Sequence, residues 1–466
     1  MSGLAALMRP KIEPMPHQWA TFEFLLSHFR CYNLSSCGSG KTLGAVMAIK
    51  ALYEHRCREK ILVIAPGSVI VSTWADHLEQ FAPDIPVMML DNNRTRKKII
   101  RDILSFKGIV LINPDGLKTV IHELIAWHCG LVVIDELAGY YRNCKSDRWK
   151  AAAFLIYKAQ PGVWAFTGTP ITKNLMDSYA QCLLVNPDML PKVKVGTMKY
   201  VQYRAMLQYN PRAYIWLPKE GALERVQSIM QPAIRFTRAD VMKDIKTPIL
   251  IRKQIDLTAE QKRMLEDMKA KGVAQFGDQV IKAKEAATII TKALQICLGE
   301  VRNAQGDCVS VPAGPRFQAL LDMFEEAEQS PLIVAVPFIH TIHSLRDQLV
   351  DKGYRVAIIY GDTPPSQRKA IIADFQAGQY DFLLCHPKTL AHGVTLTASH
   401  TVVWYGPIYD LELYLQLCDR IFRFGQTGQP LIVEFESCPL ERRVYDSLHK
   451  KENLSGSFLQ LFGEDQ

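Results

Sequence analysis

Short apolar runs recur along this chain at a spacing that leaves few folds open. In the first half they fall at Cys31–Leu34, Ile61–Ala65, Val87–Leu90, Ile109–Ile112, Leu131–Ile134 and Val163–Phe166. Segments with the apolar period of a helix separate most of them, for instance Lys41–Tyr53, Val69–Phe81 and Thr95–Phe106. The runs are too short for core helices and lack the polar alternation of a half-solvated strand. They read as strands buried on both faces, and with the intervening helices they predict βαβ units and a parallel sheet. In such a sheet, ligands bind in the crevice at the C-terminal ends of the strands.

From Asn186 to about Ser310 the pattern changes to long charged stretches compatible with helix, such as Ala259–Lys271 and Ile281–Leu298. Alternation then resumes. Strand-like runs occur at Leu332–Val336, Arg355–Ile359, Phe382–Cys385, Thr401–Tyr405 and Leu431–Phe435. Helical segments follow at Thr341–Asp351, Ser366–Gln376, Leu411–Phe422 and Leu440–Lys451. The expectation is an α/β protein of two domains, 1–235 and 311–466, joined by a helical bridge over 236–310.

Composition excludes several classes. With 48% hydrophobic and 22% charged residues, the chain is neither disordered nor fibrous. No uninterrupted apolar stretch reaches the roughly 18 residues of a membrane span, and the N-terminal residues make a poor secretory signal. The 11 cysteines include no C-x-x-C pair, which suggests reduced thiols and a cytoplasmic setting. No cysteine, histidine and carboxylate cluster lies close in sequence, so a structural zinc site is not expected. The net charge of +8 suits an anionic partner but equally suits a mildly basic enzyme.

Two segments carry chemistry. Ser35-Ser36-Cys37-Gly38-Ser39-Gly40-Lys41-Thr42 follows the first strand and opens a helix. Gly38 and Gly40 permit a tight loop whose N–H groups, Ser39 included, face phosphate oxygens, and the helix start adds partial positive charge. Lys41 reaches the β and γ phosphates and Thr42 can ligate Mg²⁺. Ser35 stands where the strict G-x-x-x-x-G-K-[ST] pattern has glycine; a glycine turn capping an ordinary helix is the plainer alternative. Leu131-Val132-Val133-Ile134-Asp135-Glu136 is an apolar strand ending in two acids. With Lys41 upstream, Asp135 is expected to hold Mg²⁺ and Glu136 to orient or deprotonate the attacking water. Arg420 and Arg423, three apart on a predicted helix, share a face, and an anion opposite them relieves their repulsion. They are expected to act as arginine fingers on a γ-phosphate.

These motifs and several others resemble the superfamily-two helicase and translocase core of the Swi/Snf type, most of all its compact bacteriophage and bacterial members. Pro16-His17-Gln18 resembles the Q motif, and the likeness implies that Gln18 reads the adenine edge. Ala65-Pro66-Gly67-Ser68-Val69, with Trp74, Leu78 and Phe81, is similar to motif Ia. Thr167-Gly168-Thr169-Pro170-Ile171, with Asn174 and Leu175, resembles motif III. Ile234-Arg235-Phe236-Thr237-Arg238-Ala239-Asp240-Val241 is similar to the basic segment that leads out of the first lobe. Gly361-Asp362-Thr363-Pro364, with Arg368 and Phe375, resembles a block of the second lobe. His386-Pro387-Lys388-Thr389 and His392-Gly393-Val394-Thr395-Leu396 resemble a phage form of motif V. Gln416, Arg420, Arg423, Gly425 and Gln426 fit motif VI. Asp-Glu-Leu-Ala at 135–138 departs from the more usual Asp-Glu-Ala-His, placing Ala138 where a coupling histidine would stand.

The resemblance implies two RecA-like parallel-sheet lobes with ATP and Mg²⁺ in the cleft between them. It assigns Gln416 and Gly393 to the nucleotide, and Ser68, Thr167, Thr169, Lys388 and Thr389 to nucleic-acid contact or coupling. It further implies a DNA-stimulated ATPase, monomeric and host-cytoplasmic if phage-encoded, that moves along duplex DNA; forked and single-stranded DNA are the other candidate tracks. The rivals are a strand-separating helicase, a DEAD-box RNA helicase, which the motif VI pattern disfavours, and a binding module that uses ATP only as a structural ligand. Basic residues Arg94, Arg96, Lys97, Lys98 and Arg101, and likewise Lys192, Lys194 and Lys199, read as solvated faces for want of interleaved aromatic rings. Trp74 reads as core packing, and His340 and His343 as surface or cap residues.

Overall fold

The structure is a computed structural model. It describes residues 13–90, 101–172, 174–190, 203, 206–210, 215–241, 246–276, 279–283, 285–303, 305–390, 395–423, 425–460 and 462. The chain forms two compact units, residues 1–243 with 451–466, and residues 244–450.

Among the described residues, the first unit is built on nine strands: β1 (Arg30–Asn33), β2 (Lys60–Ile64), β3 (Val87–Leu90), β4 (Gly108–Ile112), β5 (Leu131–Ile134), β6 (Gly162–Phe166), β7 (Leu207–Asn210), β8 (Ile215–Pro218) and β9 (Ala233–Ile234). Seven of them make one sheet in the order β3-β4-β2-β5-β6-β1-β9, and every pairing is parallel. β7 and β8 form a separate antiparallel hairpin. The period of two sorts the apolar runs onto both faces. Leu62, Ile64, Val132 and Ile134 enter one core layer, while Ile61, Val63, Leu131 and Val133 enter the other. Helices Lys41–Glu54 and Asp76–Phe81 cover the second layer, and Ile121–Trp127 and Asp147–Ala159 cover the first. Phe458, Leu459 and Phe462, near the chain's end, also pack into the first layer.

The second unit repeats the plan. Its strands are β10 (Ile249–Gln254), β11 (Val273–Phe276), β12 (Gln279–Lys282), β13 (Glu300–Arg302), β14 (Cys308–Ser310), β15 (Leu332–Ala335), β16 (Val356–Ile359), β17 (Phe382–Cys385), β18 (Thr401–Trp404) and β19 (Leu431–Glu436). Six form an all-parallel sheet in the order β10-β19-β18-β15-β17-β16. Leu332 and Val334 face one core layer; Ile333 and Ala335 face the other. β10 is an edge strand whose charged end, Arg252 and Lys253, suits an unpaired edge.

Three local expectations change. Ile281–Leu298 is not one helix. It opens with the end of β12 and becomes helical only over Ala286–Cys297, because Val273–Phe276 and Gln279–Lys282 pair as a hairpin. The segment 236–310 therefore holds helices together with two antiparallel hairpins and the edge strand β10. The helix predicted over Leu411–Phe422 ends at Cys418, which leaves Arg420 and Arg423 on the turn that follows. Their side chains cap the last turn: Arg420 Nε donates to Gln416 O (2.7 Å) and Arg423 Nε to Asp419 O (3.3 Å). Helix-terminal carbonyls lack intrahelical partners, and nearby guanidiniums satisfy them. In Thr95–Phe106, residues 91–100 lie outside the described residues, while 101–103 are helical. No helix among the described residues is long and apolar enough to cross a membrane.

Candidate active site

In the first unit, neighbouring strands β5, β6 and β1 bring three sequence-distant segments to one end of the sheet. The loop from Ser35 to Gly40 leaves β1 and turns into the helix Lys41–Glu54. Gly38 (φ +78°) and Gly40 (φ +76°) supply left-handed conformations that other L-residues adopt only at a cost. A Cβ on Gly40 would lie 2.3 Å from Gln18 Nε2, so Gln18 packs directly on the loop. His17 Nε2 donates to Ser39 O at 2.7 Å, a second tie from the helix Pro16–Ser27. Lys41 Nζ donates to the carbonyls of Ser35 (2.8 Å) and Ser36 (3.0 Å), which holds its charge over the loop. Thr42 is the second residue of the helix and half-buried. Ser39 Oγ is buried with no hydrogen-bond partner, a donor suited to an anion.

Motif III abuts this loop. A Cβ on Gly168 would meet Cys37 Sγ at 3.2 Å and Cys37 N at 3.3 Å, so a larger residue here would press on the loop. Thr167 N continues the ladder to Asn33 O (3.1 Å), and Thr169 N donates to Thr167 Oγ1 (3.2 Å). Both threonines are buried. On the other flank, β9 extends into Arg235 and Phe236. Phe236 N donates to Ser35 Oγ (3.0 Å), and Ser36 N donates to Phe236 O (3.0 Å).

Asp135 directly follows β5 and is buried. Burial pushes its carboxyl up to about 6, and Glu136 beside it adds to the rise. A hydrogen bond from Trp74 and the charge of Lys41 act in the opposite direction. Trp74 is fully buried and donates from Nε1 to Asp135 Oδ2 at 2.8 Å. It lies in a π-helical stretch, Ile70–Ala75, inserted between Gly67–Val69 and Asp76–Phe81. Such insertions re-aim side chains and collect at functional sites. Trp74 is thus core packing, as expected, and also a partner of the acid; the apolar period carries no sign of the second role. Glu136 adopts φ +54°, a left-handed conformation costing a non-glycine residue roughly 1–2 kcal/mol. Ala138 is fully buried. Ser68 lies in the short helix Gly67–Val69 at the C-terminal end of β2.

The second unit carries the remaining residues. Arg420 is 3% exposed, which excludes an ordinary surface arginine, and Arg423 is half-buried with Nη1 donating to Thr395 Oγ1 (3.2 Å). Leu396 N donates to Arg420 O (3.1 Å), joining motifs V and VI. Gln416 is buried; its Nε2 donates to Glu412 Oε1 (3.5 Å) while its Oε1 has no partner. Lys388 is exposed on the short helix Pro387–Leu390 after β17, whereas Thr389 Oγ1 donates back to His386 O (2.7 Å). Gly393 lies outside the described residues, as do Arg94, Arg96, Lys97, Lys98, Lys192, Lys194 and Lys199. Arg101 is exposed beside Asp102. His340 is half-buried in the helix Ile339–Asp351, not at its cap, and its Nε2 donates to Glu300 O (3.1 Å) on β13; His343 packs edge-on against Tyr360.

A family model for the SNF2-related domain matches residues 35–302, more than half of the chain. A second, the helicase conserved C-terminal domain, matches residues 315–425. Among curated proteins, the chain is 25% identical over 432 residues to a putative protein p41 of Acyrthosiphon pisum secondary endosymbiont phage 1, covering 89% of each. It is 24% identical to an uncharacterized ATP-dependent helicase of Mycoplasma pneumoniae (84% of this chain, 36% of the other). It is 26% identical to the SWI/SNF-related matrix-associated actin-dependent regulator of chromatin subfamily A-like protein 1 of Xenopus laevis (89% and 40%). The chain thus spans well under half the length of the last two. A solved Sulfolobus solfataricus SWI2/SNF2 ATPase core in complex with dsDNA aligns with TM-score 0.46 and 20% identity, covering 96% of this chain and 93% of that one. The chain belongs to the SNF2-related family and carries the ATP-hydrolysing core of a helicase-type enzyme.

Proposed function

We propose that this protein is a DNA-stimulated ATPase that translocates on duplex DNA and remodels DNA or displaces proteins bound to it. The observation that carries the proposal is the convergence of Lys41, Asp135, Glu136 and the Gly168 turn at adjoining strand ends, together with a buried Arg420 in a second parallel-sheet unit. In this reading residues 1–235 are the first motor lobe, 236–310 lead into the second, the second runs from 311 to about 450, and 451–466 return to the first. The likeness to putative protein p41 of a phage, over 89% of each chain, supports a phage-type protein; in this reading it acts as a monomer in the host cytoplasm.

Gln18 selects adenine; Gly38, Ser39 and Gly40 present N–H groups to the phosphates, and Lys41 offsets their charge. Thr42 and Asp135 would hold Mg²⁺, which when bound neutralises charge on the phosphate oxygens. The residues fit that ion: a buried carboxylate beside a lysine and a helix-start hydroxyl. Glu136 orients the water and takes its proton. Arg420 and Arg423, with Gln416 and Gly393, are the second unit's residues assigned to the nucleotide. Phosphoryl transfer depends on positioning and charge stabilisation, and in a motor each turnover is coupled to motion. Ser68, Thr167, Thr169, Lys388 and Thr389 pass that motion to a phosphate backbone, gripped with little reading of sequence.

The test is the ATPase rate with single-stranded DNA, duplex DNA, forks and RNA at two salt concentrations. Duplex DNA should stimulate most, with stimulation falling as salt rises. Stimulation confined to forks with strand release would favour the strand-separating reading. Equal rates with and without every nucleic acid would overturn the motor. Lys41→Ala should abolish turnover with the fold retained.

A further inference from the structure

We propose that Cys297, Cys438 and Glu441 form a zinc(II) site in the second unit, remote in sequence from the nucleotide motifs. Cys297 closes the helix Ala286–Cys297, Cys438 directly precedes the helix Pro439–Gln460, and Glu441 lies in that helix's first turn. The two sulfurs are 3.6 Å apart. Both lie within 4.8 Å of a Glu441 carboxylate oxygen, and no other such trio occurs among the described residues. Zinc–thiolate bonds of about 2.3 Å in tetrahedral geometry place two sulfurs about 3.8 Å apart, close to the observed separation.

The carboxylate supplies a second, independent observation. Glu441 Oε2 accepts three hydrogen bonds of 2.7 Å, from Ser437 N, Ser437 Oγ and Arg316 Nη2. Arg316 is itself held by Tyr405 O and Ser437 Oγ. Outer contacts of this kind orient a ligating carboxylate. They leave Glu441 Oε1 fully buried with no hydrogen-bond partner. A buried carboxylate oxygen without a donor calls for a cation. Arg316 engages Oε2 and leaves Oε1 for the metal.

Charge closes with zinc present. Arg316 and Glu441 cancel, and two thiolates cancel Zn²⁺, so the buried cluster is neutral. Loading converts two S–H groups and Zn²⁺ into two Zn–S bonds and two released protons. Cys438 sits at a helix N-terminus, which favours its thiolate, and it is half-buried, so water can reach a fourth position. Two soft thiolates and one carboxylate select zinc over Mg²⁺ or Ca²⁺.

The test uses the full chain, reduced, stripped with chelator and titrated with Co²⁺ and then Zn²⁺. The expected result is one Co²⁺ per chain with a thiolate-to-cobalt charge-transfer band, displaced by one Zn²⁺ with release of two protons. Cys438→Ser should lose the band and weaken zinc binding by at least about tenfold. It should also lose the rise in melting temperature that zinc gives the wild type. A Cys57→Ser/Cys308→Ser variant, which removes the two exposed cysteines, should behave as wild type. Absence of the band in the reduced wild type, or its persistence in Cys438→Ser and Cys297→Ser, would overturn the site. So would a Cys297–Cys438 disulfide whose reduction yields no metal binding.

Discussion

Replacing Trp74 with Phe tests whether the indole governs the acid expected to hold Mg²⁺. The indole Nε1 donates to Asp135 Oδ2 at 2.8 Å inside the core. A hydrogen bond to a charged group contributes about 1.5–3 kcal/mol, and one pH unit corresponds to about 1.4 kcal/mol. Losing it should move the Asp135 carboxyl, already pushed up to about 6, a further one to two pH units upward. At pH 7 the ionised fraction then falls from about nine-tenths to between about a half and a tenth. The apparent Mg²⁺ affinity should drop by roughly two- to tenfold at pH 7 and recover at pH 9. The assay is ATP hydrolysis titrated with Mg²⁺ across pH 6.5–9, with the melting temperature recording any packing loss. A purely structural tryptophan would lower stability and leave the Mg²⁺ dependence unmoved. An unchanged Mg²⁺ dependence at pH 7, or a deficit equally large at pH 9, refutes the reasoning.

Other consequences follow from the same geometry. Arg423→Ala should cut the turnover number by roughly a thousandfold, with nucleotide binding retained in an equilibrium assay, if the residue serves as an arginine finger. Gly40→Ala should weaken ATP binding and cost about 1–2 kcal/mol in denaturant unfolding. The added Cβ adopts φ +76° and meets Gln18 at 2.3 Å. Asp135 also predicts the pH dependence of nucleotide-free stability. Its folded value of about 6 lies above the ordinary 3.8, so its contribution is complete below about 3.8 and is lost as pH rises through about 6. Between those limits wild type should lose roughly 3 kcal/mol that Asp135→Asn does not. Urea melts of both proteins at pH 5 and 7.5 check the sign.

Much of the architecture was legible because its signals are local. Each parallel strand buried on both faces needs a near-continuous apolar run, so Leu131–Ile134 and Phe382–Cys385 coincide with their strands. The loop at 35–42 was equally plain, since a left-handed turn requires glycine and the lysine must follow it. The end of the helix at Cys418 was not legible. The apolar period runs on through Phe422, and only the guanidinium-to-carbonyl bonds of Arg420 and Arg423 show where the helix stops. Ile281 and Lys282 read as helix for a similar reason: their strand exists through pairing with Val273 and Ala274, which propensity does not register.

The sequence by itself determined the two parallel-sheet units, the glycine loop at 35–42 and the paired acids, because periodicity and glycine placement act over a few residues. Tertiary structure alone decided which distant side chains meet. Trp74 and Asp135 are joined because a π-helical stretch turns the indole inward, and Gly168 touches Cys37 because β6 lies beside β1. Cys297 and Cys438 show the same limit. Spacing along the chain spoke against a metal site, yet the helix ends of the second unit place the two sulfurs 3.6 Å apart. Such contacts depend on strand order and helix packing, which no local pattern encodes.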